Sequence, residues 1–246
     1  MAALLGRSDG NGPRTRHEKM KRDESVETIG AFRLIQKKKG YRFTADSVLL
    51  ARFAPPPKGE GRVIDIGTGS AVIPLILLQE RSAGVVTGVE IQEGLFEMAE
   101  RTVALNRLAD RVELLRADYR DVRGRYKKGS FDLVISNPPY VRAGCGRRST
   151  VRERDIARME HFGSLRELVD LSAYLVNDEG SICYCYPPSR FTEVTAALDN
   201  NSLVPKRIAL VHPDRRREAE FFLIEASRRG GATVIEAPIY LSDGEK

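Results

Sequence analysis

Four consecutive residues, Asn137-Pro138-Pro139-Tyr140, close an apolar run, FDLVIS, that reads as a β-strand. A carboxamide, two prolines and an aromatic ring make a clamp for an amino group. The Asn137 side-chain oxygen and the Pro138 carbonyl can each accept one N–H from a planar NH₂. Two acceptors hold that nitrogen in line with an electrophile and stabilise positive charge as it develops. The prolines stiffen the turn and remove backbone donors that would compete. Tyr140 offers a ring on which a flipped base can stack. The exocyclic nitrogen of adenine and the amide nitrogen of glutamine both suit such a clamp. In each the lone pair is delocalised, so the nitrogen needs orientation more than it needs a base, and the proton can leave after alkylation.

The electrophile is suggested by a second motif, Asp65-Ile66-Gly67-Thr68-Gly69-Ser70-Ala71, which closes one strand and opens a helix. Glycines at such a turn let the backbone approach a ligand closely. A dinucleotide fingerprint would read G-x-G-x-x-G, but Val72 stands where its third glycine belongs. Asp65 would repel a pyrophosphate and suits the ammonium of a methionine moiety, which points to S-adenosylmethionine as cofactor. Glu90 ends the next strand, where a carboxylate can accept both ribose hydroxyl protons. Asp118 follows the third strand and could accept the cofactor's adenine amine, with Tyr119 or Val89–Ile91 flanking the ring. An acid after each of three successive strands is a stronger signal than any one alone. Ligands in open α/β sheets lie beyond the carboxyl ends of the strands, so Asn137 is expected beside the cofactor's methyl group.

The elements that must position these residues alternate. RVIDIG, GVVTGVEI, RVELLRA and FDLVIS read as strands, with helical patterns SAVIPLILLQER and FEMAERTVALNRL between the first three. An amphipathic helix SLRELVDLSAYLV, a strand GSICYCYP and a helix FTEVTAALDNN follow. VPKRIALVHP and EAEFFLIEAS then succeed one another with no helix between them. The expected fold is α/β: a seven-stranded, mostly parallel sheet with one antiparallel strand and helices on both faces. Residues 1–24 read as a basic mobile leader, 25–57 as an N-terminal lid ended by PPPKGEG, and 58–246 as the catalytic core.

The chain has 246 residues, with 40 Lys and Arg against 34 Asp and Glu. A net charge of +6 modestly favours a polyanionic partner. Three cysteines lack the spacing of a disulfide framework, and no apolar run approaches the roughly 18 residues of a membrane span. The start carries too short an apolar run for a secretory signal. The expectation is a cytoplasmic protein without membrane or metal partner. Cys183 and Cys185 share one face of a strand and read as buried thiols, since no further metal ligands stand at suitable spacing. His161 and His212 read as structural. Between Tyr140 and Gly163 lies a charged stretch too long for a bare connection. Its Arg142, Arg147, Arg148, Arg152, Arg154 and Arg158 follow the clamp and are candidates for nucleic-acid phosphate contacts.

The order D-x-G-x-G, Glu90, Asp118 and NPPY resembles the class I amino-methyltransferases, whose Rossmann-like fold it implies. GYRFTADSVLLARFA, SNPPYVRAGCGRRS and PKRIALVHP are similar to segments of the bacterial tRNA1(Val) adenine-N6 methyltransferase family. That resemblance implies methylation of adenosine 37 of a valine tRNA. By the same resemblance Asp65, Gly67, Gly69, Glu90 and Asp118 bind the cofactor, and Thr68, Ile91, Tyr119 and Asn137 are further candidates for its site. Phe43, Thr44 and Asp46 lie near its methionine end, and Asn137, Pro138, Pro139 and Tyr140 hold the target base. The family usually shows glycine where this chain has Ala71. Alternatives are a glutamine methyltransferase acting on a translation factor and a non-catalytic RNA-binding protein that uses the cofactor as a structural ligand. The first usually brings a helical recognition domain, and too few residues precede PPPKGEG to fold one. The second has no use for an intact Asn137.

Overall fold

The computed structural model describes residues 20–39, 42–81, 83–138 and 164–242. Two short strands, β1 (Glu24–Ile29) and β2 (Phe32–Lys37), pair antiparallel as a hairpin and lead into helix α1 (Ala45–Phe53). Then come β3 (Arg62–Ile66), α2 (Val72–Glu80), β4 (Val85–Glu90), α3 (Glu93–Leu105) and β5 (Val112–Arg116). A 3₁₀ turn at Tyr119–Gly124 precedes β6 (Phe131–Ser136), and α4 (Leu165–Leu175) runs directly into β7 (Val176–Tyr186). Helix α5 (Phe191–Asp199), β8 (Val204–His212) and β9 (Phe221–Ser227) follow, with two-residue strands β10 (Val234–Ile235) and β11 (Ile239–Tyr240) last.

The main sheet runs β10-β8-β9-β7-β6-β3-β4-β5, with β11 also on β8. Strands β5, β4, β3, β6 and β7 are parallel, and β9 is antiparallel to both of its neighbours. The single reversed strand agrees with two successive strands that lack an intervening helix. Among the described residues the sheet has nine strands, where the sequence led to seven. The extra pair is one edge segment broken at Glu236-Ala237-Pro238, and a proline cannot donate to a ladder. Neither half is long enough to show a period; only pairing with β8 makes them strands.

Alternation along the strands builds two cores. Val63, Leu133, Ile135, Cys183, Cys185, Ala209, Val211 and Leu223 pack with α1 and α2. Ile64, Ile66, Val134, Ile182, Tyr184, Ile208, Phe222 and Ile224 pack with α4 and α5. Helix α2 is apolar on every side because the sheet and α1 enclose it: Val72 through Leu77 are all buried. Cys183 and Cys185 are both buried, and burial holds the Cys183 thiol well above its ordinary range. Helix α4 starts at a capping box, where Ser164 Oγ accepts from Glu167 N (3.2 Å) and Glu167 Oε2 from Ser164 N (2.7 Å).

The hairpin is fixed to the core by its outer edge. Ala31 N, Arg33 N and Ile35 N donate to Gln79 Oε1 (2.7 Å), Asn106 Oδ1 (2.8 Å) and Thr102 Oγ1 (3.2 Å). An edge that could template aggregation is thereby capped by side chains of α2 and of α3 with its C-cap. Glu24 opens β1 and is 1 % exposed, although the sequence placed it in the leader. Arg101 explains this, since its two terminal nitrogens grip both Glu24 oxygens at 2.6 and 2.7 Å.

Candidate active site

The glycine turn after β3 is tied to β4. Gly67 N and Thr68 N both donate to Val89 O (2.9 and 3.0 Å), and Gly69 N donates to Glu90 Oε2 (3.0 Å). Gly67, Gly69 and Ala71 have φ of 80°, 59° and 71°. Glycine takes that left-handed region freely, but a residue with a Cβ holds it at a cost of about 1–2 kcal/mol. Ala71 is therefore a strained residue at the N-cap of α2. Gly88 in β4 is required for a different reason, because a Cβ there would meet the Thr68 side chain at 2.9 Å.

Asp65 pairs in register with Gly88 on one side and Ile135 on the other. It shares the face of Val63, toward α1 and α2. It is 0 % exposed, and its carboxylate oxygens and the Thr68 and Ser70 hydroxyls are buried without a well-formed hydrogen bond, although Thr68 stands close enough to act on the carboxyl. Burial pushes the Asp65 carboxyl up to about 7, the Thr68 side chain opposes the rise and the Glu90 charge adds to it. Glu90, 4 % exposed, is also held above its ordinary range by burial, against the pull of backbone N–H groups from Gln92, Gly69 and Ile91. Its Oε1 accepts Gln92 N at 2.8 Å. The carboxylate keeps a lone pair open to a ligand hydroxyl.

Asn137 and Pro138 leave the carboxyl end of β6, two residues beyond Ile135. Strand spacing and rise put the Cα of residue 137 roughly 8 Å from that of Asp65. The Ser136 hydroxyl donates to Ile66 O (2.7 Å), pinning this exit to the end of β3. Asn137 Nδ2 donates to Ser47 Oγ of α1 at 2.8 Å, while Asn137 Oδ1 is buried without a partner. Ser47 was not singled out by the sequence. Its only signal was its place three residues after Thr44, inside the segment that carries the family resemblance.

Of the other expected residues, Thr44 is the N-cap of α1, and its hydroxyl donates to Asp46 Oδ1, which also accepts Ser47 N (2.8 Å). Asp46 is 4 % exposed, and Phe43 packs on the α1–α2 core. The N-terminal half of α1 therefore joins the same wall as Asp65 and Asn137. Ile91 is 39 % exposed and stands at the rim. Asp118 instead caps the 3₁₀ turn through Arg120 N (2.9 Å), and the Arg120 guanidinium forks onto both its oxygens. Tyr119 is 4 % exposed and lies in the core with Val122 and Leu168. Pro139, Tyr140, Arg142, Arg147, Arg148, Arg152, Arg154, Arg158 and His161 lie outside the described residues. His212 Nδ1 bonds Arg217 O at 2.8 Å, as befits a structural histidine. Among the described residues no group of three His, Cys, Asp or Glu could hold a metal, and no helix is long and apolar enough to cross a membrane.

The site is thus a wall of buried acceptors along the carboxyl ends of β3, β4 and β6. A cationic ligand with hydroxyls would satisfy it. Comparison with known proteins agrees. The tRNA1(Val) (adenine(37)-N6)-methyltransferase of Flavobacterium johnsoniae is 26 % identical over 197 residues, covering 80 % of this chain and 83 % of the relative. The protein of the same name from Erwinia tasmaniensis is 35 % identical over 145 residues, 58 % of either chain. The solved structure of a predicted O-methyltransferase from Agrobacterium tumefaciens superposes with a TM-score of 0.63 at 22 % identity, over 82 % of this chain and 89 % of that one. At that identity it speaks for the fold alone. The family model of the methyltransferase small domain matches residues 30–161, from the hairpin turn through the NPPY segment, and the chain belongs to that family.

Proposed function

We propose that the protein transfers a methyl group from S-adenosylmethionine to the N6 amine of an adenosine in tRNA, and that adenosine 37 of tRNA1(Val) is its target. The observation that carries the chemistry is the Asn137 carboxamide. One end is tied to Ser47, and the other is a buried oxygen with nothing to accept. The RNA target is supported by the names its relatives carry.

The orphaned acceptors fit the cofactor. Asp65, with Thr68 and Ser70 beside it, would take the ammonium of the methionine moiety. Glu90 would take the ribose hydroxyls, and Ile91 would lie against the adenine ring. Bound there, S-adenosylmethionine supplies a methyl group made electrophilic by its sulfonium. The rest is work for this chain's own residues. Asn137 Oδ1 and Pro138 O each accept one N–H of the target amine and turn its lone pair toward the methyl carbon. Both acceptors grow stronger as positive charge builds on nitrogen, so they favour the transition state over the bound substrate. The buried wall excludes water. No side chain has to remove a proton beforehand, since alkylated nitrogen sheds it readily.

Incubation with methyl-labelled S-adenosylmethionine and bulk tRNA, followed by digestion to nucleosides, tests the reading. Labelled N6-methyladenosine is expected. Label in a glutamine of a translation factor would replace the substrate, and no transfer to either would end the proposal. Asn137→Ala should lower turnover at least about a hundredfold with cofactor affinity nearly intact.

A further inference from the structure

The carboxamide of Asn137 can serve as an acceptor only if its oxygen, not its nitrogen, faces the target. A primary amide turned by half a rotation would present NH₂ to NH₂, two donors meeting with no acceptor between them. We infer that Ser47, by accepting from Nδ2, is the positioning residue that anchors the carboxamide with Oδ1 toward the target and tunes the strength of the acceptor.

Ser47 sits in the first turn of α1, 4 % exposed, with its backbone N–H bound to Asp46 Oδ1 (2.8 Å). Its hydroxyl oxygen receives Asn137 Nδ2 at 2.8 Å across 90 residues of sequence. Asp46 accepts at the same turn from the Thr44 hydroxyl, which fixes how α1 begins and therefore where Ser47 lies. The partner end of the amide, Oδ1, is buried and without a donor. A buried acceptor left unmatched is costly, and a target N–H removes the penalty. The contact acts through amide resonance. Nδ2–H donation to Ser47 places more negative charge on Oδ1, and an N–H given to Oδ1 sharpens Nδ2 as a donor. A chain from target nitrogen through the carboxamide to Ser47 therefore tightens as charge develops during transfer. Ser47 touches neither the target nor the reacting atoms; it works through Asn137.

The inference rests on the clamp role proposed for Asn137, and a double-mutant cycle separates the two. Single-turnover rate constants with saturating S-adenosylmethionine and tRNA would be measured for the native chain, Ser47→Ala, Ser47→Thr, Asn137→Ala and the Ser47→Ala/Asn137→Ala pair. Loss of one neutral hydrogen bond predicts a roughly tenfold slower rate for Ser47→Ala, with cofactor Kd unchanged. Ser47→Thr, which keeps the hydroxyl, should recover most of the rate. In the Asn137→Ala background the Ser47 substitution should cost nothing further. An equal slowing in both backgrounds, or no slowing with Asn137 intact, would overturn the inference while leaving the clamp standing. A native rate in Asn137→Ala alone would remove the clamp and the inference together.

Discussion

Two carboxylates in this molecule are both shielded from solvent and treated in opposite ways. Glu24, on the hairpin, is 1 % exposed; Asp65, at the end of β3, is 0 % exposed. Burial pushes Glu24 upward, but the Arg101 side chain and the Lys21 N–H more than offset it, and the group ends below its ordinary value. Among the described residues no cation stands beside Asp65, so burial wins and the carboxyl rises to about 7. The hairpin acid is a finished part of the fold. The β3 acid is unfinished, with its partner to come from outside. The same contrast separates the hairpin edge, whose outer N–H groups at Ala31, Arg33 and Ile35 find side-chain acceptors, from the rim where Thr68, Ser70 and Asn137 carry orphan oxygens. The orphan atoms of Asp65, Thr68, Ser70 and Asn137 stand where a ligand would bind.

The hairpin side of that contrast is the one to break first. Arg101→Ala leaves Glu24 buried without its cation and should cost about 3–5 kcal/mol of unfolding free energy in urea titrations. A loss within about 1 kcal/mol, the scale of exposed pairs, would mean the two acids do not differ as described.

The Asp65 side is tested by pH. Below the ordinary 3.8 the group is protonated whether the chain is folded or not. Between there and about 7 the folded protein holds a proton that the unfolded chain releases, so its contribution to stability falls as pH rises. Three units correspond to about 4 kcal/mol at most, reached above pH 7. Asp65→Asn should flatten this slope and raise the unfolding midpoint at pH 8, while weakening S-adenosylmethionine roughly ten- to a hundredfold by calorimetry. In the native chain, cofactor affinity should climb with pH up to about 7 and then level. A pH-independent affinity would deny Asp65 the ammonium.

The smallest effect is expected at Ala71, whose left-handed backbone lies beside the unfinished acid. Ala71→Gly should raise stability by at most about 1 kcal/mol with little change in cofactor binding. A clear loss of stability would show that the Cβ is packed to advantage.

The sequence alone determined the alternation of strands and helices, the one reversed strand and the positions of Asp65, Gly67, Gly69, Glu90 and Asn137. Those signals are local: hydrophobic period, turn glycines and residue type at a strand's end follow from a few neighbours. It also led to the family. Contacts between distant segments stayed hidden. Nothing in the neighbourhood of Glu24 marks it as buried, because Arg101 lies far along the chain. Asp118 reads as a free acid until Arg120 is seen to hold it, and Tyr119 as a ring at the site until α4 is seen to pack over it. The strands at Val234 and Ile239 are too short for any period. Ser47 gains its meaning only when α1 settles against the end of β6. Pairing across long stretches of sequence depends on which surfaces the folded layers bring together, and only the tertiary structure decided that.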